Sequence, residues 1–334
     1  MKVLVAGLTA AAWCGAVIAA ALLLAGLFGA VWPEADFLNQ FAPIWSLLGL
    51  GGVVVLLTLS PRRWLATALA LVILVGSGVL EGPELAARVT SPFAGQPHQI
   101  RVVQFNVWKY NGAPAAAAAW VLDQDADFVV LEEASQLGEE VARRLASQYP
   151  FAVTCRGRKR CSTVILSRIA PVASAGLAKG DPENRKALSA AWARYDLGGR
   201  SITVVAAHFA RPWPWGRQAE DRRQLIAEVR KLPDQNLILT GDFNTTPWTF
   251  AGKRQDKALA MRRITRALFS WPINVRPTYL KVYPMIPILP IDHAYLRPGL
   301  LPVAVRRGPN IGSDHRPLVI DLAWARLGKQ RVVE

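Results

Sequence analysis

Only three cysteines and four histidines occur among the 334 residues. No second Cys/His pair lies near Cys155 and Cys161, so their spacing is not a zinc pattern. Acidic residues are also scarce, 24 against 39 basic, which leaves a formal net charge of +15. No internal repeat is present, so a solenoid is excluded. The long apolar runs near the amino terminus contain no internal charge, which argues against ion or proton transport. Ser313 lacks a Gly-x-Ser-x-Gly elbow and reads as a loop residue rather than a nucleophile.

The charge is unevenly spread. Residues 1–90 hold Lys2, Arg62, Arg63 and Arg88 against Glu34, Asp36, Glu81 and Glu84, so the whole excess lies in residues 91–334. A basic domain implies an anionic partner such as nucleic acid, phospholipid head groups or another phosphate ester. Three apolar runs come first: Val3–Trp32, Ile44–Ser60, and Trp64 to about Leu80. The first exceeds a signal-peptide core and lacks a cleavage site, so it is expected to be retained as a span. The second and third read as two more spans or as one re-entrant hairpin. Lys2 and the Arg62–Arg63 loop mark the cytoplasmic side, and the loop with Glu34 and Asp36 the opposite one. Three spans then predict an inner-membrane anchor over 1–80, a linker over 81–99 broken by Gly82, Pro83, Pro92, Gly95 and Pro97, and an extracytoplasmic domain over 100–325 with a tail over 326–334. Cys155 and Cys161, six apart, suit a disulfide-closed hairpin in an oxidising compartment and two free thiols otherwise. Cys14 reads as a small buried residue.

Within the domain, apolar runs and turn signals alternate. Strands are expected at Arg101–Val107, Asp127–Leu131, Phe151–Cys155, Ser162–Ser167, Val172–Ala175, Asn236–Thr240, Arg276–Leu280, Asp292–Leu296, Val303–Arg307 and Pro317–Trp324. Leu188–Tyr195 and Ser201–His208 form a hairpin across Gly198-Gly199. Helices are expected at Ala115–Leu122, Leu137–Ser147, Arg217–Leu232 and Asp256–Phe269. This mixture predicts two packed sheets with helices outside.

Polar residues recur where these strands end. Five ordered motifs stand out: Phe105-Asn106-Val107; Val130-Leu131-Glu132-Glu133; Ala207-His208-Phe209; Gly241-Asp242-Phe243-Asn244; and Ile291-Asp292-His293 followed by Gly312-Ser313-Asp314-His315. Carboxylates can accept a proton from water or hold a metal, and amides can donate to phosphoryl oxygens without adding charge. In this order the motifs resemble the endonuclease/exonuclease/phosphatase (DNase I-like) superfamily over roughly residues 100–325. The resemblance implies an α/β four-layer sandwich of two mixed β-sheets flanked by helices, and a divalent-metal-dependent phosphoric ester hydrolase. It implies a metal site at Glu133, Asn106 and Asp314, whose hard oxygen donors suit magnesium or manganese. It implies that Asp242 orients or deprotonates water, Asn244 holds a phosphoryl oxygen, His208 and His315 contact the scissile phosphate, and Asp292 fixes the tautomer of His315. The family's usual Leu-Gln-Glu is Leu131-Glu132-Glu133 here, which leaves two glutamates as ligand candidates, with Glu133 at the aligned position.

A few spans followed by this domain resemble bacterial membrane-bound members linked to teicoplanin resistance, which implies a lipid-linked phosphate. Two segments agree: Arg211-Pro-Trp-Pro-Trp-Gly-Arg217 directly after His208, and the apolar, proline-rich 283–290 before Asp292. The same tryptophans could stack on bases, so a nuclease is the alternative. An inactive binding module is a second alternative, opposed by the competent residue at every motif position.

Overall fold

The computed structural model describes residues 1–90, 93–155, 161–177, 188–273 and 286–325. The strand expected at 276–280 and the 326–334 tail lie outside the described residues. The chain divides into two compact units, one of Met1–Thr90 with Thr245–Arg254, the other of Ser91–Asn244 with Gln255–Glu334.

The first unit consists of α1 (Lys2–Leu27), α2 (Ala42–Leu59) and α3 (Arg63–Thr90), each long and apolar enough to cross a membrane. Uncharged runs of Ala, Leu and Val satisfy their backbone within the helix, which is what an apolar bilayer demands. Small residues let the helices approach closely. A Cβ on Gly49 would stand 2.8 Å from Ile73 Cδ1 and 3.0 Å from the Ala19 Cβ, so the three helices meet there. Cys14 is exposed on α1 rather than buried.

One sequence expectation fails in an instructive way. The 81–99 stretch is not uniformly irregular: α3 continues through Pro83 to Thr90. Proline removes the bond to the carbonyl four residues back. That carbonyl, on Val79, instead accepts from the Lys253 ammonium at 2.8 Å, a partner no local pattern reveals. In the connection between α1 and α2, the polar residues Asp36, Asn39 and Gln40 are buried. Asn39 Nδ2 donates to Gly26 O at 2.9 Å and Asp36 Oδ1 at 2.8 Å. Asp36 in turn accepts from Phe250 N at 2.9 Å and Ala251 N at 2.7 Å, capping the free amides of the helix that starts there.

The second unit holds β1 (Ile100–Asn106), α4 (Pro114–Asp123), β2 (Phe128–Glu132), α5 (Glu139–Leu145), β3 (Phe151–Thr154), β4 (Val164–Ser167), β5 (Ala173–Gly176), β6 (Ser189–Asp196), β7 (Ser201–His208), α6 (Arg217–Lys231), β8 (Leu237–Asp242), the end of α7 (Phe250–Leu259), β9 (Arg262–Arg263), β10 (Asp292–Leu296), β11 (Leu300–Arg307) and β12 (Leu318–Trp324). They form two mixed six-stranded sheets, in the orders β11-β12-β1-β2-β4-β3 and β5-β6-β7-β8-β10-β9. Alternate side chains decide the layers. Ile100, Val102, Phe128 and Val130 of one sheet face Ala191, Ala193, Val204 and Ile238 of the other across the central core. The opposite face of the first sheet packs on α4 and α5 through Val103, Phe105, Val121 and Leu145. The outer face of the second packs on α6 through Val205, Leu225 and Leu239. Helix, sheet, sheet and helix are therefore the four layers anticipated.

The helix expected at 256–269 is shorter and shifted. Asp256 accepts from Arg263 Nη2 at 2.9 Å and from Tyr295 Oη at 2.9 Å, which draws the chain back onto β10. Ala260 takes a positive φ of 52° at the bend. Cys155 and Cys161 are joined as a disulfide, with Cα atoms 5.6 Å apart.

Candidate active site

Strand register gathers the motif residues. Asn106 and Glu132 are paired at the ends of the parallel strands β1 and β2. His208 pairs with Asp242 at the ends of β7 and β8, and Asp242 pairs with Asp292 at the start of β10. Two parallel strand pairs, one from each sheet, thus end at one place. Gly241 is required there, because a Cβ would overlap the Ala207 carbonyl oxygen.

Asp242 is the hub. Its Oδ2 accepts from Asn106 Nδ2 at 2.9 Å and Asn244 Nδ2 at 3.3 Å, and stands 3.6 Å from both His208 Nε2 and His315 Nε2. Its Oδ1 accepts from Asn244 N at 2.8 Å. The Asn244 amide also donates to Phe209 O at 2.9 Å, and Asn106 Oδ1 accepts from Trp108 N at 3.0 Å, so both side chains are fixed from two sides. Asn244 sits at φ 49°, a left-handed conformation that Asn tolerates. His315 Nδ1 lies 2.8 Å from Asp292 Oδ2.

Glu132 and Glu133 part company. Glu132 is fully buried between the sheets, while Glu133, at a positive φ of 52°, turns into an open cleft 3.9 Å from His208 Nε2. That cleft, of about 230 Å³, is lined by Lys109, Glu133, Ser135, Ser162, His208 and Arg217. Asp314 accepts from Trp271 Nε1 at 3.2 Å through Oδ2, and its Oδ1 is buried with no hydrogen-bond partner among the described residues. All eight residues singled out in the sequence therefore lie in one region of the second unit.

The electrostatics follow from burial in a crowded acidic pocket. Burial raises the Asp242 carboxyl to about 6, against the pull of His315 and His208. Burial works against the His315 imidazolium, yet Asp292 and Asp242 outweigh it and lift its pKa to about 10. Asp292 is held low: burial opposes ionisation, but His315 together with hydrogen bonds from Ser270 and Gln104 outweighs it. Burial and then Asp292 push Glu132 well up. Glu133 is lowered: burial opposes its ionisation, but His208, His315, the Lys109 backbone N–H and Arg211 together outweigh it. Asp314 is raised by burial, with Glu133 adding to the effect.

The model of the endonuclease/exonuclease/phosphatase family matches residues 103–315. The chain belongs to that family. It is accordingly a metal-dependent phosphoric ester hydrolase. No curated protein sequence matches it. Its fold is similar to that of a beta toxin from Staphylococcus aureus, at 15% identity and a TM-score of 0.52, over 66% of this chain and 99% of that one. It is also similar to the mannosyl-6-phosphatase Bt3783 of Bacteroides thetaiotaomicron, at 15% identity and TM-score 0.52, over 67% and 100%. A third similar structure is D. rerio TDP2 with a single-strand DNA product, at 14% identity and TM-score 0.51, over 67% and 98%. These likenesses establish the fold.

Among the described residues, Asp242, Asp292 and His315 bring ligand atoms within 4.8 Å of one another, a second arrangement able to hold a metal beside the Glu133 set. Several supporting residues escaped the sequence reading. Gln218 Nε2 donates to Asn244 O at 2.8 Å, and Trp271 flanks His315 with ring centroids 6.5 Å apart. Gln218 carries no local signal beyond its place on an amphipathic helix.

Proposed function

We propose that this protein is a membrane-tethered, magnesium- or manganese-dependent phosphoesterase acting on an extracytoplasmic phosphate ester with a lipid portion. The observation that carries the substrate class is a pair of exposed tryptophans in the segment that links two residues lining the cleft, Ala210 and Arg217. Trp213 and Trp215 are 62% and 40% exposed and stack edge to face at 4.8 Å, directly between His208 and the cleft residue Arg217. Indole rings beside cations favour the boundary between an apolar chain and a charged head group.

The residues fit a hard divalent ion. Among the described residues Asp314 Oδ1 is buried and unpaired, Glu133 and Asp314 oppose each other's ionisation, and the donors are all oxygen. In this reading Glu133, Asp314 and Asn106 hold the ion. When bound, it neutralises phosphoryl charge and acidifies water. Asp242, poised at about 6, accepts the proton of the attacking water, which is the pKa range suited to a base at neutral pH. His208 and His315, each 3.6 Å from Asp242, hold phosphoryl oxygens as charge develops on them. Asn244 borders the same carboxylate and binds a phosphoryl oxygen. Asp292 keeps the Nε2 edge of His315 toward Asp242.

Three features support the extracytoplasmic placement: the charge bias of the loops, the Cys155–Cys161 disulfide, and the bonds from Asp36, in the loop opposite Arg62, to Phe250 and Ala251. Because residues 245–254 belong to the compact unit of the anchor, the test uses the full chain. Reconstituted with magnesium, it is offered prenyl diphosphate and phospholipid in vesicles, a soluble phosphate ester, and plasmid DNA. Release of phosphate or head group from a lipid is expected. Nicking of plasmid alone would replace this reading by the nuclease, and turnover of none by the binding module.

A further inference from the structure

Gln104 stands two residues before Asn106 on β1, on the face that enters the space between the sheets. It precedes the asparagine motif and nothing in the reaction described above uses it. It is fully buried, as are its two partners. Its Nε2 donates to Glu132 Oε2 at 2.9 Å and to Asp292 Oδ1 at 2.9 Å. Glu132 belongs to the same sheet, on β2, whereas Asp292 belongs to the opposite sheet, on β10. The other oxygen of Asp292 is the one that meets His315 Nδ1, at 2.8 Å.

One amide NH₂ carries two hydrogens and can serve two carboxyl groups at once. A carboxylate held only through one oxygen can turn about its last torsion, which is broad for Asp. Anchoring Oδ1 sets where Oδ2 points. We propose that Gln104 is a positioning residue: by bridging Glu132 and Asp292 across the two sheets, it aims Asp292 at His315 Nδ1 and so presents His315 Nε2 to Asp242. This rests on the phosphoesterase reading in which His315 contacts the phosphate.

A purely structural role for Gln104 would be to satisfy the buried Glu132, and a residue swap separates the two. Gln104→Leu removes both donors. Gln104→Glu combined with Glu132→Gln restores an amide–carboxyl pair between positions 104 and 132 but leaves Asp292 facing another acid. In the full-length protein, Gln104→Leu is expected to lower kcat about 10- to 100-fold, the range of a hydrogen bond to a charged group, with KM and the magnesium dependence unchanged. The swap is expected to recover melting temperature toward wild type without recovering kcat. A swap that restores kcat together with stability overturns the proposal, as does a Gln104→Leu variant within threefold of wild-type kcat. A readout independent of turnover is the ¹⁵N-resolved Nδ1–H signal of His315 in histidine-labelled protein. It is expected in wild type and lost or exchange-broadened in Gln104→Leu. Should wild type hydrolyse no phosphoester offered, loss of that signal would uphold the positioning role while the functional reading fell, and an unchanged signal would overturn the positioning role.

Discussion

Replacing Asp292 by Asn tests how the buried dyad works. Asp292 is fully buried, and its oxygens meet His315 Nδ1 at 2.8 Å and Gln104 Nε2 at 2.9 Å. An asparagine keeps the volume, removes the charge, and can no longer accept on both oxygens. A hydrogen bond to a charged partner contributes about 1.5–3 kcal/mol, and each 1.36 kcal/mol is tenfold in rate, so kcat should fall about 10- to 150-fold. Stability should fall too, with a defined pH dependence. The His315 pKa is raised in the folded state to about 10, above its ordinary value of 6.5. Its contribution is therefore complete below the unfolded pKa and is lost as pH rises through the folded one. The Asp292→Asn deficit in melting temperature should be large at pH 6 and shrink toward pH 10, measured by scanning fluorimetry in metal-free detergent. A kcat within threefold of wild type, or a deficit that grows from pH 6 to pH 10, would refute the reasoning.

Other consequences are less central. Asp321 is lowered: burial opposes its ionisation, but hydrogen bonds from Arg101 and Arg306 outweigh it. Asp321→Asn should therefore cost about 1–2 kcal/mol at neutral pH and converge with wild type as pH falls below about 4, seen in denaturant melts across that range. Trp213→Ala with Trp215→Ala should raise KM about tenfold for a phosphate ester embedded in vesicles and leave a short-chain soluble ester unaffected, as expected for rings lost from a lipid boundary. Lys253→Met should destabilise the protein by about 1 kcal/mol by unpairing the Val79 carbonyl, and adding Pro83→Ala should offset most of that loss by restoring a helical N–H donor. Additive losses in that double variant would contradict the explanation for α3.

The layered fold was legible because hydrophobic periodicity and turn residues agree along most of the domain. The hairpin of β6 and β7 is an instance: Gly198 and Gly199 both take positive φ, 64° and 86°, where the sequence places a turn. The convergence of Asn106, His208, Asp242 and Asp292 was legible only through motif order, since register between strands of different sheets is not encoded locally. What escaped depends on distant partners. Pro83 signalled a break, but Lys253 from far along the chain supplies the missing donor. Asp256 and Arg263 bend the chain back where helix propensity would have carried it on. Gln104 looks like an isolated polar residue in an apolar strand until the opposite sheet brings Asp292 to it.

The most direct test is the rate of magnesium-dependent phosphate release from a vesicle-borne lipid phosphate by the full-length protein and by Asp242→Asn. Loss of the base at the hub of the site should reduce kcat by about 10²–10⁴-fold, the range of general base catalysis, while magnesium binding is retained. A variant that turns over within tenfold of wild type would contradict the assignment of Asp242 and with it the account of the site.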